Sequence, residues 1–238
     1  MKKNLPSKEQ SYAMFDTISP SYDRINRILS LGRDLAWRKK LKQYLPCFSS
    51  LNILDLATGT GDQIFTFLPV KKVKKVIGLD LSRQMLDLAR KKLEKKGEKN
   101  RWDLIHGDAQ NLPFSEEQFE AVSISFGIRN MPDPKKALQE MLRVLKPKGR
   151  ALILEFSLPQ TPWVRKVHHF YLKSILPKVG GFLSKNPDSY EYLHQTITSF
   201  PYGKAFLDLM EEAGFYAPFQ IPLNLGAVTL YVGEKESA

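Results

Sequence analysis

Between Leu51 and Phe156 short apolar runs alternate with longer amphipathic stretches. The compact runs are Ile53–Leu56, Val76–Leu79, Asp103–His106, Ala121–Phe126 and Arg150–Phe156. Between them, Gln63–Leu68, Ser82–Lys96 and Pro134–Leu145 repeat their apolar residues every three or four positions. The first pattern predicts strands and the second helices. Ser82 can cap the helix that follows it, and Pro147 with Gly149 closes the one ending at Leu145. This alternation predicts an α/β, doubly wound, Rossmann-like parallel sheet with helices on both faces. Ligands of such sheets bind at the carboxyl ends of the strands. Asp55, Asp80, Asp108 and Ser125 all fall at or near such ends.

The flanks read differently. Ser11–Leu45 is helical in spacing through Phe15, Ile18, Tyr22, Ile25, Ile28, Leu29, Leu35, Trp37 and Leu41, with breaks at Pro20 and Gly32. Residues 1–50 are expected to form a helical cap over the ligand mouth, ahead of a core at 51–156. In the insertion at 157–203, Trp163, Val167, Phe170, Tyr171 and Ile175 lie at helical spacing. Arg165, Lys166, His168, His169 and Lys173 supply the opposite side. Such a basic amphipathic helix either packs on the sheet or acts as a lid or membrane contact. Residues 204–238 predict a helix over Ala205–Ala213, stopped at Gly214, then a strand pair about Asn224-Leu225-Gly226. All four segments belong to one domain.

The chemistry concentrates at Asn52–Asp62, where an apolar run opens into Gly59-Thr60-Gly61 before a helix. Glycine there lets the backbone approach a ligand. Asp80 follows about 20 residues later, the spacing at which a second strand offers an acid to a ribose hydroxyl. Both a nicotinamide dinucleotide and S-adenosyl-L-methionine use this arrangement. Ile64 occupies the position of the third glycine that a dinucleotide fingerprint needs, and Asp62 would repel a pyrophosphate. A cofactor bearing an ammonium and a sulfonium suits these residues better, so adenosylmethionine is preferred.

Length and composition narrow the rest. The 238 residues suffice for one sizeable core. One cysteine, Cys47, excludes an internal disulfide and a cysteine zinc cluster. His168, His169 and His194 lack metal-ligand spacing, so no metal is assigned. Met1–Gln10 has no apolar signal core. The uncharged stretch Phe215–Gly233 contains Pro218, Gln220, Pro222 and Asn224 and does not read as a membrane span. The net charge of +11 suits a nucleic acid or an anionic membrane face, or serves only solubility. The expected location is cytoplasmic, with peripheral contact at the inner face of the cell membrane.

With these residues in view, the chain resembles the class I adenosylmethionine-dependent methyltransferases and, more narrowly, the ubiquinone/menaquinone biosynthesis C-methyltransferase family. The likeness runs through Tyr22-Asp23 and Asn26, the Leu54–Asp62 loop, Ser125-Phe126-Gly127-Ile128-Arg129-Asn130, Arg143–Pro147, Leu154–Ser157 and Asp188-Ser189-Tyr190-x-Tyr192-Leu193. The cofactor loop is shared widely; the Phe126–Asn130 and Asp188–Leu193 runs are much more specific. Thr58 and Lys148 stand where many relatives have glycine. The resemblance implies a seven-stranded sheet with one antiparallel strand near the end. It implies methyl transfer to a ring carbon of a polyprenylated quinol, demethylmenaquinol before a benzoquinol precursor of ubiquinone.

The resemblance also distributes roles. Thr60 and Gly61 line the methionine part of the cofactor, with Asp55 counted among the contacts. Asp80 accepts from the ribose, Asp108 from the adenine amino group, the Ala109 backbone meets the ring, and Ser125 lies near the methyl. Arg129 stabilises a phenolate, Asn130 orients a hydroxyl, and Tyr22 hydrogen-bonds the acceptor ring. Plainer readings stand beside these: a loop-anchoring salt bridge for Arg129, a turn for Asp108, a buried strand serine for Ser125. A nucleic-acid methyltransferase is the competing class, favoured by charge. The Asn/Asp-Pro-Pro-aromatic loop of base-amino methylation is replaced by Ser125–Ile128, and Cys47 sits in a linker far from the loop. No nucleic-acid partner is therefore expected. A cofactor-binding module without catalysis is opposed by the intact Asp80, Asp108 and Arg129.

Overall fold

The computed structural model describes Asp16, Ser19, residues 22–171, Ser174 and residues 188–237. Two short helices, α1 (Tyr22–Leu29) and α2 (Arg33–Lys40), lead through a 3-10 turn at Leu41–Tyr44 into β1 (Leu51–Leu56). Then follow α3 (Asp62–Phe67), β2 (Val73–Asp80), α4 (Arg83–Lys96), β3 (Trp102–His106) and β4 (Phe119–Ser125). A 3-10 turn at Ile128–Asn130 precedes α5 (Pro134–Val144), β5 (Leu145–Phe156) and α6 (Pro162–Phe170). The chain closes with α7 (Asp188–Ser199), α8 (Lys204–Glu212), β6 (Tyr216–Leu223) and β7 (Val228–Glu234). Phe15, Ile18, Pro20, Lys173 and Ile175 lie outside the described residues.

The seven strands form one sheet in the order β3-β2-β1-β4-β5-β7-β6. β7 runs antiparallel to both its neighbours, and the other described pairings are parallel. Pleating sends alternate residues to opposite faces. Ile53, Leu152 and Leu154 therefore pack with Trp37, Leu41, Ile64 and Phe67 on one face. Leu54, Leu56, Ala151 and Ile153 pack with Leu138, Met141, Phe206 and Met210 on the other. Both faces are covered, which is why the strand runs are almost continuously apolar.

Strands begin earlier than the apolar runs suggest. β2 starts at Val73 and crosses Lys74-Lys75, because ladder hydrogen bonds to β1 do not depend on side-chain polarity. β5 starts at Leu145, opposite Phe119, with an irregularity in register before Ala121. Lys148 within it has φ 62°, the left-handed region natural to glycine. Its backbone N–H donates to the Lys235 carbonyl at 2.9 Å, so the turn is held despite the side chain.

Candidate active site

The loop after β1 is built by its neighbours. Asp55 pairs in register with Gly78 and Ser123, well inside the sheet. Its carboxylate accepts from the Thr58 and Ser123 hydroxyls, each at 2.6 Å. Burial pushes this carboxyl up to about 6. A Cβ on Gly78 would come within 2.9 Å of the Thr58 side chain, so Gly78 makes room for the threonine. Gly59 (φ 56°) and Gly61 (φ 84°) are left-handed, and a side chain on Gly59 would meet nothing within 4 Å. The bare edge of the loop thus faces open space.

That space is a cleft of about 430 Å³ at the carboxyl ends of the strands, a size in the range of small-molecule sites. Thr60, Asp80, Asp108, Ala109, Ser125, Tyr22 and Asn130 line it. Asp80 accepts from the Gly59 and Ser82 backbone N–H groups, both at 2.8 Å. Burial raises its pKa. Asp108 accepts from the Gln110 N–H at 2.9 Å, the turn geometry that its position after Gly107 suggests. Ser125 donates to Gln63 Oε1 at 3.2 Å. The Asn130 side-chain oxygen is buried and has no hydrogen-bond partner.

Three expected contacts do not line the cleft: Asp55, Gly61 and Arg129. Asp55, the penultimate residue of β1, stands opposite Ser123, and its carboxylate is held under the loop by the Thr58 and Ser123 hydroxyls. Gly61 starts α3, where an added Cβ would stand 3.3 Å from Ala89 Cβ; it serves close packing against α4. Arg129 is buried and donates to Glu155 at 2.8 Å and to the Phe126 carbonyl at 2.6 Å. The described geometry is that of the loop-anchoring salt bridge.

Among the described residues the cation lining the cleft is Arg38, which spacing alone passed over inside the basic run Arg38-Lys39-Lys40. Its signal was available: Asp34, Trp37, Arg38 and Leu41 repeat every three or four residues, and all four are buried. The guanidinium lies 5.4 Å from the Phe126 ring, and its Nε has no partner. Burial raises the Tyr22 phenol, and Arg38 is the strongest influence pulling it back down. Asp62 is not a free negative charge at the loop. Arg27 reaches Asp62 at 2.6 Å and Lys92 at 2.8 Å. Burial would raise this carboxyl, but Lys92 and Arg38 outweigh it and hold the pKa low. Lys92 also pairs with Asp23 at 2.8 Å, and Thr60 donates to Asp23 at 2.6 Å. These bonds tie α1 and α4 to the loop.

Adenosylmethionine fits the residues present. Asp80 and Asp108 offer acceptors at adjacent strand ends, and the bare Gly59 backbone lies between β1 and the cleft. Among the described residues no cluster of His, Cys, Asp and Glu could hold a metal. The same cleft carries the buried cation Arg38 and the unpartnered amide oxygen of Asn130 beside the space that the cofactor would fill.

Comparison with known proteins agrees. Demethylmenaquinone methyltransferase of Bacteroides fragilis is 37% identical over 227 residues, covering 95% of this chain and 93% of its own. That of Clavibacter sepedonicus is 39% identical over 236 residues, covering 99% and 94%. Ubiquinone/menaquinone biosynthesis C-methyltransferase UbiE of Geotalea daltonii is 37% identical, covering 95% and 97%. In fold the chain is similar to an adenosylmethionine-dependent methyltransferase from Thermotoga maritima, with TM-score 0.65 and 20% identity over 94% of this chain and 100% of that one. It is also similar to Haemonchus contortus phosphoethanolamine N-methyltransferase 2 in complex with S-adenosyl-L-methionine, with TM-score 0.61 and 16% identity over 87% and 53%. The model of the ubiE/COQ5 methyltransferase family matches residues 4–235, and the chain belongs to that family of adenosylmethionine-dependent enzymes.

Proposed function

We propose that the protein methylates a ring carbon of a polyprenylated quinol, with demethylmenaquinol the preferred acceptor. The observation that carries this is the buried Arg38 beside Tyr22, on the same cleft as Asp80 and Asp108. A ring carbon becomes nucleophilic when its phenol ionises. At pH 7 a phenol of pKa near 10 costs about 4 kcal/mol to ionise. Burial leaves the Tyr22 phenol raised, and Arg38 is the strongest influence opposing that rise; the same cation would favour the ionised form of an acceptor hydroxyl in the cleft. A benzoquinol is the second reading, supported by the ubiquinone/menaquinone name of the Geotalea relative.

When bound, the cofactor supplies an electrophilic methyl whose departure leaves a neutral thioether. Asp80 would accept from its ribose hydroxyls and Asp108 from its adenine amino group, as carboxylates at strand ends can. Arg38 holds the acceptor oxygen as phenolate. The Asn130 oxygen, which lacks a partner, accepts from a second ring hydroxyl. Tyr22 remains a phenol through its burial and can donate to the acceptor. Arg129, paired with Glu155, keeps the Phe126–Asn130 turn in position. The ring proton lost on rearomatisation leaves to water. Placement of this kind contributes on the order of 7–11 kcal/mol.

The chain would work at the inner face of the membrane. Among the described residues no helix is long and apolar enough to cross a membrane. An assay with methyl-labelled adenosylmethionine tests the reading. Label should enter a detergent-dispersed, reduced demethylnaphthoquinone and not tRNA, rRNA or DNA. Comparable labelling of RNA would move the protein to the competing class.

A further inference from the structure

Among the described residues the two most exposed large apolar side chains are Leu31, 85% accessible, and Leu225, 74% accessible. Both stand in the left-handed region, at φ 52° and 57°. Sterics would give such positions to glycine or asparagine, and solubility would give them a polar side chain. Leucine at both opposes local backbone preference and hydration together. They also adjoin. Asn224, the residue before Leu225, accepts from Arg33 at 3.3 Å and from Trp37 at 3.2 Å, which joins the β6–β7 turn to the α1–α2 turn.

A third element continues the same surface. A Cβ on Gly226 would lie 3.3 Å from Pro159 Cα, and Arg165 of α6 donates to the Pro159 carbonyl at 2.7 Å. α6 has no buried residue and exposes Trp163, Val167 and Phe170. All three elements stand at the carboxyl edge of β5, since Phe156 pairs with Val228. That edge is the edge of the cleft: Trp37 packs on the cleft residue Phe126, ring centroids 6.0 Å apart.

Within residues 24–40, 157–171 and 218–227 the exposed charges share one sign. Arg24, Arg33, Lys39, Arg165 and Lys166 are exposed. Asp34, the sole acid between Arg24 and Lys40, is buried and paired with Arg27. Neither residues 157–171 nor residues 218–227 contain an acid. Apolar tips among exposed cations complement an anionic bilayer, which receives the side chains below its headgroups and the cations at them.

We propose that the α1–α2 turn, the β6–β7 turn and α6 form one docking face for an anionic lipid surface, with Leu31 and Leu225 as inserted tips. The inference deepens the quinol reading, because the face would seat the cleft mouth against the phase that holds an isoprenoid tail. The face is nonetheless testable without that chemistry.

The test is co-sedimentation of the purified full chain with vesicles. One set is phosphatidylcholine alone; the other is equal parts phosphatidylcholine and phosphatidylglycerol. The wild type should bind the second set, less as salt rises. The Leu31→Asn/Leu225→Asn double variant, whose asparagines tolerate the left-handed backbone, should bind at least about tenfold more weakly. Its turnover of a tail-less quinol should be unchanged. Equal binding by variant and wild type overturns the proposal. So does wild-type self-association abolished by the same substitutions, which would make the face a contact between copies. If vesicles bind but no quinol is methylated, the acceptor reading fails and the docking face stands.

Discussion

Arg129 and Glu155 form a 2.8 Å ion pair with side chains only 6% and 1% accessible. The pair ties the turn after β4 to the end of β5. The same guanidinium donates to the Phe126 carbonyl, and Phe126 holds φ 60°. A strained residue beside a cleft persists only when its surroundings determine it. Glu155→Gln leaves a buried guanidinium without its counter-charge, which costs about 3–5 kcal/mol. Denaturant unfolding should register that loss. Wild-type stability in the variant would mean the pair does not anchor the turn.

Asp80 serves both loop and ligand. Both its oxygens already accept backbone N–H groups, from Gly59 and Ser82. Asp80→Asn keeps the shape and removes the charge. Calorimetry should show adenosylhomocysteine binding weakened by about 1.5–3 kcal/mol, the usual worth of hydrogen bonds to a charged group. Unchanged affinity would end the ribose assignment.

Arg38 is expected to act on the acceptor. Arg38→Gln should leave adenosylhomocysteine affinity intact while moving the alkaline rise of kcat upward by about 1–3 pH units, the usual effect of losing an opposite charge. A pH profile superimposable on that of the wild type would remove Arg38 from the chemistry.

Asp55 makes stability depend on pH. Its pKa rises from 3.8 to about 6 on folding, through burial. Within that window the folded chain keeps a proton that the unfolded chain has released. Stability from this group is complete below 3.8 and is withdrawn as pH rises through about 6. The withdrawn amount is on the order of 3 kcal/mol. Asp55→Asn does not titrate, so the variant should gain that much relative to the wild type between pH 4 and 7 in urea unfolding. A stability difference flat across that range would contradict the shift.

Much was legible in order along the chain. The strand–helix alternation, the cap at Ser82, which accepts from Met85 N at 3.1 Å, and the turn at Asn224–Gly226 all rest on local rules. Periodicity and turn chemistry act over a few residues, so a single sequence carries them. Asp80, Asp108, Ala109, Thr60 and Ser125 reach the cleft because parallel topology sends every strand end to one rim.

Other outcomes required the third dimension. Whether Asp55 points along the strand end or across the sheet depends on its register with Ser123. Whether Arg129 faces solvent, ligand or Glu155 depends on a partner 26 residues away. Arg38 looks like any member of a basic run until α2 packs it beside Phe126 and Tyr22. Leu31, Leu225 and Trp163 are unrelated in sequence and share one edge only because β7 folds back against β5. The sequence by itself determined the elements, their alternation and therefore the rim where ligands bind, since those follow from local sterics and burial period. Tertiary structure alone decided which charges at that rim are spent on each other and which remain for a ligand, because pairing energies depend on distances between residues far apart in the chain.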